Sequence, residues 1–130
     1  MRNQAVWIDQ HEARVFNIEG ETFDEKPVHA ANHHVHRHPN RDLTKTHNHL
    51  TDEARFFDEV LKVLGNAEEI LLLGPSVTKL HLLRYAQEHA PKLAALVVGV
   101  ETVDHPTDRQ LVAHVRHYFH GDRPRIGVPS

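Results

Sequence analysis

Half of the fourteen histidines of this chain fall within twenty-one residues: His29, His33, His34, His36, His38, His47 and His49. Neutral imidazole is a good ligand for Zn, Ni and Cu, and His-x-His pairs on an extended chain point the same way. His33, His34, His36 and His38 are therefore candidate metal ligands, with Zn or Ni as the implied cofactor and a hydrolase among the consequences. Carboxylates usually orient metal-bound histidine, and Asp42 is the one acid nearby. The competing expectation is a solvated histidine-rich loop with no resident cofactor. The same stretch carries Arg37, Arg41 and Lys45. Arg and Lys neutralise phosphates, and His stacks on unpaired bases or becomes cationic beside phosphate. Arg37, His38, Arg41 and Lys45 are thus candidate RNA contacts.

Other constellations are thinner. Gly74-Pro75-Ser76-Val77-Thr78-Lys79 has one glycine, where a nucleotide-binding phosphate loop needs Gly-x4-Gly-Lys-Ser/Thr. It reads as a tight strand-to-helix turn capped by Ser76 or Thr78, with Ser76, Thr78 and Lys79 as an anion site at the helix start. Asp9 ends the first strand, and Asp104 and Asp108 are further acids. Two-metal nucleases need several converging carboxylates, and sequence spacing does not show that these three meet. His114, His117 and His120 recur every three residues on the last helix, off its apolar face, and read as surface histidines. The only serines, Ser76 and Ser130, lie in no nucleophile-elbow pattern. No catalytic residue is assigned, and the balance leans away from an enzyme.

The elements that must position these residues follow from pattern. Gln4 to Asp9 and Ala13 to Ile18 read as a hairpin, with a third strand from Thr22 to His29. From Ala30 to Leu50 no period appears, which predicts a long polar loop. Thr51-Asp52 is a plausible N-cap for a helix with Phe57, Val60, Leu61 and Leu64 on one face, ending at Gly65. Ile70 to Leu73 is apolar throughout, as befits a strand covered on both sides. A helix from Val77 to His89, stopped by Pro91, leads to a second apolar strand, Leu96 to Val100. Thr107-Asp108-Arg109-Gln110 matches a capping box and opens the last helix, with Leu111, Val112, Val115 and Phe119 on its apolar face. The order is β-β-β-loop-α-β-α-β-α. It predicts a single three-layer α/β domain with a mixed sheet over residues 1–121, a histidine-rich loop at 30–50 and a flexible tail at 122–130.

At 130 residues the chain has enough length for one hydrophobic core. The absence of cysteine excludes disulfides, thiolate metal sites and cysteine nucleophiles. No apolar run is long enough to cross a membrane, and the N-terminus has no signal-peptide pattern, so the expectation is a cytoplasmic protein without membrane contact. A formal net charge of -3 argues against a uniformly basic nucleic-acid binder, and no DNA partner is expected. Histidine protonation near pH 6.5 makes that charge conditional.

The strand-Gly-Pro-x-x-x-Lys-helix segment (Gly74, Pro75, Lys79), preceded by a three-stranded meander and followed by Leu82, Leu83 and a second parallel strand, resembles one known domain. It is the middle domain of archaeal and eukaryotic class-1 release factors and of the ribosome-rescue protein Pelota. The segments Trp7 to Phe16 and Val100 to Asp108 make the chain similar to small stand-alone bacterial relatives, the translational machinery proteins. The bacterial host-attachment family is a more distant likeness. The resemblance covers nearly the whole chain and implies a ribonuclease-H-like or ribosomal-protein-like α/β fold and association with the ribosome or RNA. Release factors promote peptidyl-tRNA hydrolysis with a Gly-Gly-Gln tripeptide on a loop of this domain. No Gly-Gly-Gln occurs here, and there is no glycine between Glu21 and Val63. The resemblance therefore implies a non-enzymatic accessory protein of translation that lacks the tripeptide on which the known peptide-release mechanism depends. Alternatives are the His-loop metal protein and a protein-interaction module that kept only the fold.

Overall fold

The structure, a computed structural model, describes residues 3–19, 22–30, 42–65 and 67–121, and for residues 42–51, 120 and 121 the backbone alone. Five strands form one mixed sheet in the order β3-β2-β1-β4-β5. They are β1 (Asn3–Ile8), β2 (Glu12–Glu19), β3 (Thr22–His29), β4 (Glu69–Gly74) and β5 (Val97–Thr102). The helices are α1 (Asp42–Val63), α2 (Thr78–His89), the single turn α3 (Pro91–Ala94) and α4 (Asp108–Arg116), which runs into a π-helical turn at His117–Gly121. The first three strands form the expected antiparallel meander, while β1 and β4, and β4 and β5, pair in parallel.

β1 lies at the centre, and all six of its residues are buried. Alternation divides its side chains between two cores. Val6 and Ile8, with Val15, Val28, Ile70 and Leu72, pack beneath Phe56, Phe57, Val60 and Leu64 of α1 and Leu82 of α2. Ala5 and Trp7, with Phe16, Ile18, Leu71 and Leu73, pack beneath Leu111, Val112 and Val115 of α4. The continuous run Ile70 to Leu73 is thus covered on both faces, as its sequence predicts.

Two expectations are corrected. α1 starts at Asp42, not at Thr51-Asp52, so the 42–50 part of the predicted 30–50 loop is helical in its backbone. The reason is visible in retrospect: no Gly or Pro follows Pro39 until Gly65, and Leu43, Leu50, Ala54, Phe57 and Leu61 keep helical spacing beneath the histidines. The rest of that loop and the 122–130 tail lie outside the described residues. The second apolar strand is present as β5, at the edge of the sheet, with Val98 and Val100 exposed. Finally, Val77 occupies the N-cap position of α2 and no side chain caps it, so neither Ser76 nor Thr78 does.

Two glycines permit close approaches. A Cβ at Gly74, whose φ is +159°, would collide with the carbonyl oxygen of Ile8 where β4 leaves the sheet. A Cβ at Gly99 would strike the hydroxyl of Tyr118, which donates to the Val98 carbonyl at 3.2 Å. Among the described residues no helix is long and apolar enough to cross a membrane.

Candidate functional site at the carboxyl edge of the sheet

Because β1, β4 and β5 run parallel and two reversals bring β3 back to the same direction, all four strands end at one edge. Open α/β sheets carry their ligand crevices outside such carboxyl ends. Three connections meet here: the β1–β2 turn at residues 9–11, the β4–α2 turn at 75–77 and the β5–α4 segment at 103–107. β3 also ends here, and the Ala30 N–H donates to the His11 carbonyl at 2.9 Å. Ala30, which precedes the histidine-rich segment in sequence, is therefore at this edge.

The side chains at this edge contact one another, although the buried Arg14 Nε has no hydrogen-bond partner among the described residues. Asp9 Oδ1 accepts the backbone N–H groups of His11 at 2.8 Å and Glu12 at 3.0 Å, which fixes the hairpin turn. His105 lies between two carboxylates, with Nδ1 3.1 Å from Asp104 Oδ1 and Nε2 3.5 Å from Asp9 Oδ2. Its ring meets the Trp7 ring edge-on at 5.0 Å. The Trp7 indole N–H donates to the Asp104 carbonyl at 2.8 Å, and the Arg14 guanidinium stacks 4.5 Å above the Trp7 ring. Arg14 Nη1 also donates to Asp108 Oδ1 at 2.6 Å, and both Nη groups reach the Pro106 carbonyl at 3.3 Å. At the start of α4 the expected capping box is complete: Thr107 Oγ1 accepts the Gln110 N–H at 3.1 Å, and Gln110 Oε1 accepts the Thr107 N–H at 2.9 Å.

Glu25, across from Phe16 on β3, joins this cluster. Burial raises its carboxyl above the ordinary value of 4.5, and a carboxyl–carboxyl hydrogen bond to Asp108 and repulsion from that like charge raise it further. The Arg14 guanidinium acts in the opposite sense. Elsewhere, burial first and then a 2.7 Å hydrogen bond to Asp58 push Tyr85 up to about 12, so its hydroxyl stays a donor linking α2 to α1.

A cavity of about 450 Å³ opens beside the cluster, lined by Val103, Asp104, His105, Pro106, Gln110, Leu111 and His114. His114 is tied to Glu101 of β5, Nε2 to Oε1 at 2.5 Å, where sequence alone suggested a plain surface histidine. Both nitrogens of His105 face carboxylates, while its side chain stays 61 % exposed. No serine hydroxyl makes contact with it among the described residues.

The acids considered for nuclease chemistry are divided in their tasks. Asp9 holds a turn and His105, Asp108 holds Arg14, and among the described residues no group of three or more His, Asp or Glu can hold a metal ion. Of the anion candidates, Lys79 is 5 % exposed and donates from Nζ to the Ser76 carbonyl at 2.8 Å, while Ser76 Oγ and Thr78 Oγ1 stand 3.5 Å apart. Lys79 thus folds back over its own turn. Arg37, His38 and Arg41, and the candidate ligands His33, His34 and His36, lie outside the described residues, and Lys45 is placed by its backbone alone in the first turn of α1. Trp7, Arg14, Glu25 and His105 escaped sequence reasoning. The one available signal was a lone Trp opposite an Arg in a predicted hairpin.

This architecture, a mixed sheet with two helical layers and an edge fed by four strands, is the fold of the release-factor middle domain. Pelota from Archaeoglobus fulgidus superposes with a TM-score of 0.64 at 15 % identity, over 91 % of this chain and 31 % of that one. Pelota from Thermoplasma acidophilum gives 0.63 at 19 % identity, over 97 % of this chain and 34 % of that one. The archaeal translation termination factor aRF1 gives 0.57 at 12 % identity, over 88 % and 33 %. The chain thus spans about a third of the length of these proteins. No family model matches the sequence, and no curated protein does.

Proposed function

We propose that this chain is an accessory protein of translation, a small bacterial relative of the release-factor middle domain. On this reading it contacts the ribosome or its RNA in the cytoplasm through the basic histidine-rich segment. Arg37, Arg41 and Lys45 would meet phosphates, and His38 would stack on an unpaired base or turn cationic beside phosphate. The observation that carries the proposal is the fold itself, shared with Pelota over more than nine-tenths of the chain. Two facts support the choice of segment. It leaves β3 at the edge where the connections converge, and between His33 and His49 it sets three fixed cations and six histidines against a single acid. Without Gly-Gly-Gln, peptide release by the release-factor mechanism forms no part of the proposal.

The test is co-sedimentation of the untagged protein with ribosomes from fresh lysate, at low and high salt, with and without chelator. Salt-sensitive, chelator-indifferent migration with a subunit is expected. Changing Arg37, Arg41 and Lys45 together to Ala should weaken binding and flatten its salt dependence by about 2 in log–log slope, the loss of roughly three phosphate contacts. Migration abolished by chelator would instead assign Zn or Ni to His33, His34, His36 and His38. Protein that stays in the supernatant at every salt concentration would refute the ribosomal reading.

A further inference from the structure

On the face covered by α1, the sheet pattern calls for apolar residues, and Val6, Ile8, Ala13, Val15 and Val28 supply them. Two carboxamides break the pattern at the amino edge. Gln4 of β1 pairs in register with Asn17 of β2, which pairs in turn with Asp24 of β3. Adjacent strands lie about 4.8 Å apart, so these three side chains form one short row on one face. Gln4 is 6 % exposed, and neither its Oε1 nor Asn17 Oδ1 has a hydrogen-bond partner among the described residues. A buried oxygen left in that state costs about 1–3 kcal/mol, which an aliphatic side chain at position 4 would avoid. Gln4 and Asn17 line a cavity of about 200 Å³, with Asp24, Lys26 and Lys62 also in its walls. Gly65 borders it too, and a Cβ there would meet nothing within 4 Å.

We propose that this cavity binds a small zwitterion, an ammonium and a carboxylate a few bonds apart, of the free amino-acid class. The lining asks for both charges. Three acceptors, Gln4 Oε1, Asn17 Oδ1 and the Asp24 carboxylate, match the three N–H donors of an ammonium. Lys26 and Lys62 each donate to one carboxylate oxygen. A simple anion would leave both amide oxygens unmet and lie beside Asp24, and a simple cation would lie beside two lysines. The volume falls below the roughly 300–1,000 Å³ of ordinary cofactor pockets, which excludes nucleotides. The site is separate from the carboxyl-edge cluster and does not depend on the translational reading.

Calorimetric titration with the free L-amino acids, and with methylammonium and acetate as half-ligands, tests it. Saturable binding of at least one amino acid is expected, with each half-ligand at least ten-fold weaker. Gln4→Met removes the buried acceptor at nearly constant volume and should weaken that binding at least ten-fold, while the melting temperature without ligand stays the same or rises. Lys62→Gln, on the surface, should weaken it several-fold without touching the fold. Absence of saturable binding across the panel, half-ligands that bind as well as amino acids, or unchanged affinity in folded Gln4→Met or Lys62→Gln would overturn the proposal.

Discussion

The two edges of the sheet treat polar groups differently. At the carboxyl edge Arg14 meets a ring face, a carboxylate and a carbonyl and leaves only its Nε unpartnered among the described residues, Trp7 and Thr107 donate, and His105 lies between Asp9 and Asp104. At the amino edge Gln4 and Asn17 present oxygens with no partner among the described residues. A largely satisfied polar network favours one arrangement, whereas unmet oxygens in a cavity leave donors to be supplied from outside. On the readings proposed above, the carboxyl edge would serve as a mount for the segment that follows β3, and the amino edge as a receptor.

That contrast can be broken experimentally. The largest effect should come from Gly74→Ala at the carboxyl edge, because the new Cβ collides with backbone rather than with a side chain that can swing away. A loss on the order of 3 kcal/mol is expected in denaturant titration. A loss under about 0.5 kcal/mol would show that β1 and β4 can part at no cost and that the mount is loose. Next comes Arg14→Ala, which removes the Trp7 stacking and leaves Asp108 and Glu25 without their cation. With Arg14 at 15 % side-chain exposure, about 2 kcal/mol is expected, together with a change in Trp7 fluorescence. Unaltered stability would mean that the network is ornamental.

The smallest effect should come from Glu25→Gln, and its sign is opposite. The folded-state pKa of Glu25 is raised, so its favourable contribution is fully present below the ordinary value of 4.5 and is lost as pH rises through the raised value. Gln mimics the neutral form. The variant should therefore melt slightly higher than the parent at pH 7, by well under 1 kcal/mol for a partly screened group, and match it at pH 4. A variant that melts lower at pH 7 would make the charged Glu25 carboxylate, rather than its neutral form, the partner that the cluster needs.

How much of this was readable beforehand depended on sequence distance. The capping box spans three residues, and Thr107 and Gln110 hydrogen-bond as their spacing implies. The apolar run Ile70 to Leu73 carried its own two-sided burial, and the Gly-Pro break after it marked the strand end. The start of α1 was hidden because polar histidines masked a helical spacing that begins at Leu43. The site clusters were hidden for a stronger reason. Trp7 and Asp104 are 97 residues apart, Arg14 and Asp108 94, and no local pattern registers either contact. Gln4 and Asn17 look like ordinary polar residues of a hairpin until their common face is known.

The sequence by itself determined the element order, the meander, the buried parallel strand, the capped last helix and the absence of thiol chemistry, because periodicity, caps and composition act within a few residues. The tertiary structure decided which carboxylates hold a turn, an arginine or a histidine, and that two amides share one cavity. Those outcomes depend on strand order and register, which bring together residues that the chain keeps far apart.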